Sequence, residues 1–138
     1  MKKNLLTKIR NRKGFTLAEL LIVVAIIGVL VAVSIPIFTA QLAKARVATD
    51  QANARAAKAA AVAAELTSES TSFPATYFYD ANAGTVAKER VTIAVYGKST
   101  STDVTNAGAT VDWTGDAKDK VVQITIQSNN TISVSWVE

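Results

Sequence analysis

Residues 15–38 form an almost wholly apolar run, broken only by Thr16, Glu19, Gly28, Ser34 and Pro36. At about 1.5 Å per residue, a helix over this stretch covers roughly 36 Å, enough to cross a hydrocarbon core of about 30 Å once. A small globular fold covers only one stripe of a helix. An all-round apolar helix must therefore find lipid or other chains for the rest of its surface.

What precedes the run sets its direction. Lys2, Lys3, Lys8, Arg10, Arg12 and Lys13 place six of the fifteen basic residues in the first thirteen positions, where no acid occurs. Beyond residue 14, nine basic residues face eleven acidic ones, a net of −2. The overall charge of +4 thus belongs to the N-terminal segment and gives no basis for a nucleic-acid surface. Basic residues stay on the cytoplasmic side of a membrane, so the N-terminus is expected inside and the C-terminal part outside. An ordinary secretory signal closes a short apolar stretch with a small-residue cleavage site. No such site follows the run here. Gly14 precedes it, and cleavage there leaves the anchor in the mature protein.

The sequence holds neither His nor Cys, which removes the commonest general base, the usual zinc ligands and the thiol nucleophile. No enzyme and no cofactor are expected. Asp112, Asp116 and Asp119 are weak candidates for hard-cation ligands, but their spacing is not that of a known cage, and a solvated acidic loop is the plainer reading. Asn129-Asn130-Thr131 fits a glycosylation tripeptide and is assigned no role.

Residues 39–66 are Ala-rich, carry charges and contain no Gly or Pro, so the helix is expected to run on. Phe38, Leu42, Ala45, Ala52, Ala56, Ala59, Ala63 and Leu66 recur at helical spacings and mark one face for a sheet or a neighbouring helix. Residues 67–85, rich in Ser, Thr, Asn, Gly and Pro, read as a loop pinned by Phe73, Tyr77, Phe78 and Tyr79. Ser99–Thr102 also reads as exposed loop. Alternation of period two then predicts strands at 90–96, 121–127 and 131–137, with a short fourth near 109–114. Ser128-Asn129-Asn130 is the expected turn between the last two long ones. Trp113 and Trp136 are expected in the core. The fold class is α+β: a long N-terminal helix on a small antiparallel sheet of three to four strands. The divisions are 1–14 leader, 15–38 membrane or filament-core half of the helix, 39–66 amphipathic half, and 67–138 head.

Gly14-Phe15-Thr16-Leu17-Ala18-Glu19, placed after a basic leader and opening the apolar run, resembles the class III signal of type IV prepilins and pseudopilins. The resemblance is close from about residue 13 to 36 and covers no part of the sheet region. It implies that a membrane prepilin peptidase cuts between Gly14 and Phe15 and methylates the amino group of Phe15. It implies that Glu19 docks against Phe15 of a neighbouring subunit. Physics alone also leaves open a Glu19 shallow enough to reach head groups and water. It further implies that Gly28 and Pro36 bracket a stretch that unwinds on assembly, where helix chemistry alone asks only for a kink. The implied partners are further copies of the chain, minor pilins, the peptidase, an inner-membrane platform protein and an assembly ATPase. The implied location is the cell membrane first and a surface filament afterwards. Adhesion, twitching motility and DNA uptake are properties of such fibres. A pseudopilin of a type II secretion or competence system has the same N-terminus. A monomeric, membrane-anchored ligand-binding ectodomain is the alternative of another class; it explains the length of the run but not Glu19 or Gly14-Phe15.

Overall fold

A computed structural model describes residues 14–69 and 72–138; residues 1–13, with the six leader cations, and Ser70 and Thr71 lie outside the described residues. The first element is a helix, α1 (Leu17–Thr67), of 51 residues. The chain divides into two compact units, Met1–Pro36 and Ile37–Glu138.

In the first unit every described residue is exposed. Gly28 and Pro36 both lie inside α1. Two residues before Pro36, the Ser34 hydroxyl donates to the Leu30 carbonyl at 2.7 Å, the back-bond that Ser makes inside apolar helices.

The second unit holds the core. Its part of α1 buries Ala43, Val47, Asp50, Ala54, Ala57 and Ala61, spaced alternately by four and three. The row expected from the sequence does the opposite: Phe38, Leu42, Ala45, Ala52, Ala56, Ala59, Ala63 and Leu66 are all exposed. Alanine supplies both rows, so apolar contrast along the helix is slight. The buried row also contains a carboxyl group, which hides it from a search for hydrophobic periodicity.

Four strands follow, β1 (Ala75–Asp80), β2 (Thr85–Ala87), β3 (Val121–Ile126) and β4 (Ile132–Val137), in the antiparallel order β2-β1-β3-β4. Their inward residues Tyr77, Tyr79, Val122, Ile124, Ile126, Val134 and Trp136 form one apolar cluster with Ala54, Ala57 and Ala61. Small alanines let the helix approach large rings closely, which gains dispersion contacts without leaving voids. Trp113 and Trp136 are core aromatics, with ring centres 5.8 Å apart and planes at 72°. The β3–β4 turn forms where expected, with Asn130 at φ 62° and its N–H donating to the Gln127 carbonyl at 2.9 Å.

Three expectations fail. Residues 75–80, placed in a loop, are β1, and the last residue of that expected loop, Thr85, opens β2. The β-propensity of Thr-Tyr-Phe-Tyr outweighs the turn-forming residues around it. Residues 90–96 form no strand: a turn closes with Ile93 N–H donating to Arg90 O at 3.2 Å, and of the alternating Val91, Ile93 and Val95 only Ile93 is buried. Residues 109–114 form no strand either. A short helix, α2 (Ser101–Ala107), lies between these two segments. Its Thr100–Asp103 capping box and Gly108 in the left-handed region at φ 60° bound it at both ends.

Two buried polar groups tie the segment before α2 to the rest. Asp50 of α1 is fully buried, and its carboxyl oxygens accept from Lys98 N–H at 3.0 and 3.1 Å, from Ser99 N–H at 2.6 Å and from the Ser99 hydroxyl at 2.5 Å. Ser99, expected in exposed loop, is therefore inside. The β1–β3 register ends at Phe78 opposite Gln123. Beyond it the Tyr96 hydroxyl accepts from Val122 N–H at 3.1 Å and donates to Tyr79 O at 3.0 Å, standing in for a ladder bond.

Candidate functional site

The start of α1 concentrates the residues that matter most in the sequence. Gly14, Phe15 and Thr16 precede the helix and are exposed, Phe15 at 88%. The Gly14–Phe15 peptide thus stands in irregular, accessible chain, the conformation a protease requires. A Cβ on Gly14 would meet no atom of the described residues within 4 Å. Among the described residues its lack of a side chain answers no packing demand.

Thr16 caps the helix. Its N–H and hydroxyl donate to Glu19 Oε2 at 2.7 and 2.9 Å, and its hydroxyl oxygen accepts from Glu19 N–H at 3.2 Å. Leu20 N–H closes the first helical bond on the Thr16 carbonyl at 3.1 Å. This is a reciprocal capping box, which satisfies two of the donors a helix start leaves free. The Thr-x-x-Glu spacing of Thr16 and Glu19 is the signal for this box in the sequence. The negative side chain also sits in the first turn, where the helix dipole favours it.

Only Oε2 is used in this box; Glu19 Oε1 has no partner among the described residues. Glu19 is the single ionisable side chain between residues 14 and 43. The arrangement therefore presents a carboxylate with a spare acceptor edge, one turn from the peptide bond whose hydrolysis would free an amino group on Phe15. An amine and a carboxylate of this kind form a charge-assisted pair when brought together. Gly28 and Pro36 stand further along α1; they are not gathered with Glu19, and a Cβ on Gly28 would meet nothing within 4 Å.

The weak cation candidates have separate engagements. Asp112 pairs with Lys58 at 2.5 Å, and the hydrogen bond and charge of that ammonium hold its carboxyl below the usual range. Asp116 accepts from Ser101 N–H at 2.6 Å, which lowers it likewise. Asp119 occupies the left-handed region at φ 58°. Among the described residues no group of three acidic side chains is placed to hold a metal ion.

The first part of α1 is long and apolar enough to cross a membrane by length and composition. The family description of a prokaryotic N-terminal methylation motif matches residues 9–35. Fimbrial protein EcpB of Eikenella corrodens is 53% identical over 37 residues, which cover 27% of this chain and 23% of that protein. The match thus spans about a quarter of the curated relative. No solved structure matches the chain. The chain thus carries a prokaryotic N-terminal methylation motif, shares its N-terminal segment with a fimbrial protein, and joins a long helix, apolar in its first half, to a four-stranded antiparallel sheet in an α+β arrangement that matches the pilin fold.

Proposed function

We propose that the chain is a structural subunit that is cut between Gly14 and Phe15, methylated on Phe15, and polymerised from the membrane into a surface filament. The observation that carries this is the exposed apolar run of 14–39 with Glu19 as its only charge, set within a methylation motif. An apolar surface of that extent needs lipid before assembly and protein after it. The exposed row of Leu42, Ala45, Ala52, Ala56, Ala59 and Ala63 supports the same reading, because small side chains let a second helix come close. In this mechanism Glu19 keeps its capping box in the free subunit and offers its spare oxygen to the Phe15 amine of a neighbour. A buried carboxylate is then neutralised only on docking, which selects register. Gly28 and Pro36 weaken the helix between them, so that this stretch unwinds as the subunit packs. The leader stays on the cytoplasmic side and the head lies outside. The chain works with a prepilin peptidase, a platform protein and an assembly ATPase, and the filament serves adhesion, motility or DNA uptake.

Intact mass and N-terminal sequencing of sheared surface material, with a Glu19→Ala strain alongside, test this. The expected result is a chain beginning at methylated Phe15 in the sheared fraction, and a Glu19→Ala chain that is cut but stays in the membrane. A chain that keeps its leader, or that never leaves the membrane, sinks the filament reading and leaves the anchored ectodomain.

A further inference from the structure

The outward face of the sheet carries no charge in its two central rows. Register places Thr76, Thr125 and Ser133 side by side across β1, β3 and β4, and next to them Phe78, Gln123 and Ser135. The first row runs into a groove of about 270 Å³ lined by Phe73, Pro74, Thr125, Gln127 and Ser128. Every lining residue is neutral. Phe73 is 43% exposed and presents aromatic surface beside amide and hydroxyl groups.

The polar side chains here are little used within the chain. The bonds from Gln123 Nε2 to Thr125 Oγ1 and from the Ser133 hydroxyl to Thr125 O are long, at 3.5 and 3.4 Å. The side chains of Thr76, Gln127 and Ser128 have no hydrogen bond among the described residues.

We propose that this groove and the hydroxyl row beside it bind a neutral oligosaccharide, with one pyranose ring against Phe73 and Pro74 and its hydroxyls bonded to Thr125, Gln127 and Ser128. A sugar ring presents an apolar C–H face and a rim of hydroxyls that both donate and accept. An aromatic wall answers the face, and hydroxyl and carboxamide groups, which also do both, answer the rim. A phosphate-bearing or acidic ligand would require Lys or Arg, which the lining lacks. The row crosses strands about 4.8 Å apart, close to the length of one unit in a β-linked chain, so successive sugars meet successive hydroxyls.

The test is a titration of the ¹⁵N-labelled full chain, in micelles of a zwitterionic detergent without sugar groups, followed by amide chemical shifts. Cellohexaose and the N-acetylglucosamine hexamer are the neutral probes, and hexagalacturonate is the acidic match. At least one neutral hexamer should move the amides of Phe73, Thr125, Gln127 and Ser128, and Phe73→Ala and Gln127→Ala should each weaken it roughly tenfold. Hexagalacturonate should leave those amides in place. Silence toward both neutral hexamers at millimolar concentration, shifts located elsewhere, an equal response to the acidic hexamer, or unchanged affinity in both variants overturns the proposal. Gln127 is exposed, so its variant keeps the test decisive if Phe73→Ala loosens the loop. The readout needs no cleavage and no filament, and its failure leaves the assembly reading standing.

Discussion

At the scale of residues, Asp50 bears the greatest consequence for stability. A carboxyl group in an Ala-rich helix reads as solvent-facing, yet this one is closed off and accepts four hydrogen bonds from residues 98 and 99. Asp50→Ala leaves two backbone N–H groups and a hydroxyl without acceptors and should cost about 3 kcal/mol. The denaturant midpoint of the full chain in micelles measures it, and Asp50→Asn, which keeps one acceptor oxygen, should fall between. An unchanged midpoint in Asp50→Ala would refute the assignment. The tyrosines set a limit at alkaline pH. The hydrogen bond to Glu65 Oε2, then burial, raises the Tyr77 hydroxyl to about 12, and burial raises that of Tyr96. Since an unfolded tyrosine ionises near pH 10, the unfolded chain releases these protons first, and stability falls as pH rises above that value. Their contribution is whole below about pH 10 and is lost upward, Tyr77's share through about 12. Denaturant midpoints taken across that interval should decline, and decline less in Tyr77→Phe. The Thr16–Glu19 box was legible in the sequence, because its two residues are neighbours and their spacing is the signal. Asp50 and Tyr96 were not, since their partners lie on segments whose approach no local pattern records.

At the scale of elements, α1 carries two rows of small apolar residues, and the head covers one of them. Ala57 is 0% exposed in the covered row, while Ala56 lies in the other. Ala57→Leu must push the helix off the sheet and should cost about 1–3 kcal/mol, whereas Ala56→Leu should stay within about 0.5 kcal/mol. Thermal melting of both variants as unassembled chain in micelles checks the difference. Equal losses would mean the rows are assigned wrongly. Under the proposed function the order reverses for filaments: Ala56→Leu should lower the yield of sheared fibre although the subunit is intact. The sequence showed that a long helix exists, because its length and lack of breakers need no partner to be seen. It did not show which row packs, because that choice is made by the sheet. β3 and β4 were legible since each alternates cleanly and a short Asn turn joins them. Residues 90–96 alternate as well, but the loop that approaches them, through Lys120 O accepting from Tyr96 and Gly97, supplies an anchoring contact and not a strand. Alternation states only that a strand is permitted.

At the scale of the whole molecule, the two compact units differ in kind. No residue from 14 to 42 is buried, and the earliest core residue is Ala43. Among the described residues before Ile37 none is buried, so none of them adds to the core of Ile37–Glu138. A fragment of residues 37–138 should stay soluble and monomeric without detergent, and its melting temperature should lie within about 5 °C of the full chain in micelles. Circular dichroism for the melt and sedimentation for the mass decide it. The full chain carries the same head together with an uncovered apolar helix, so in plain buffer it should associate. If the fragment unfolds or melts far lower, residues 14–36 contribute to the head's stability and the helix is no independent anchor. If it folds alone, the run from Phe15 has no structural duty within the subunit. Its apolar surface is then free for what lies outside the chain, which under the proposed function is lipid first and other helices next.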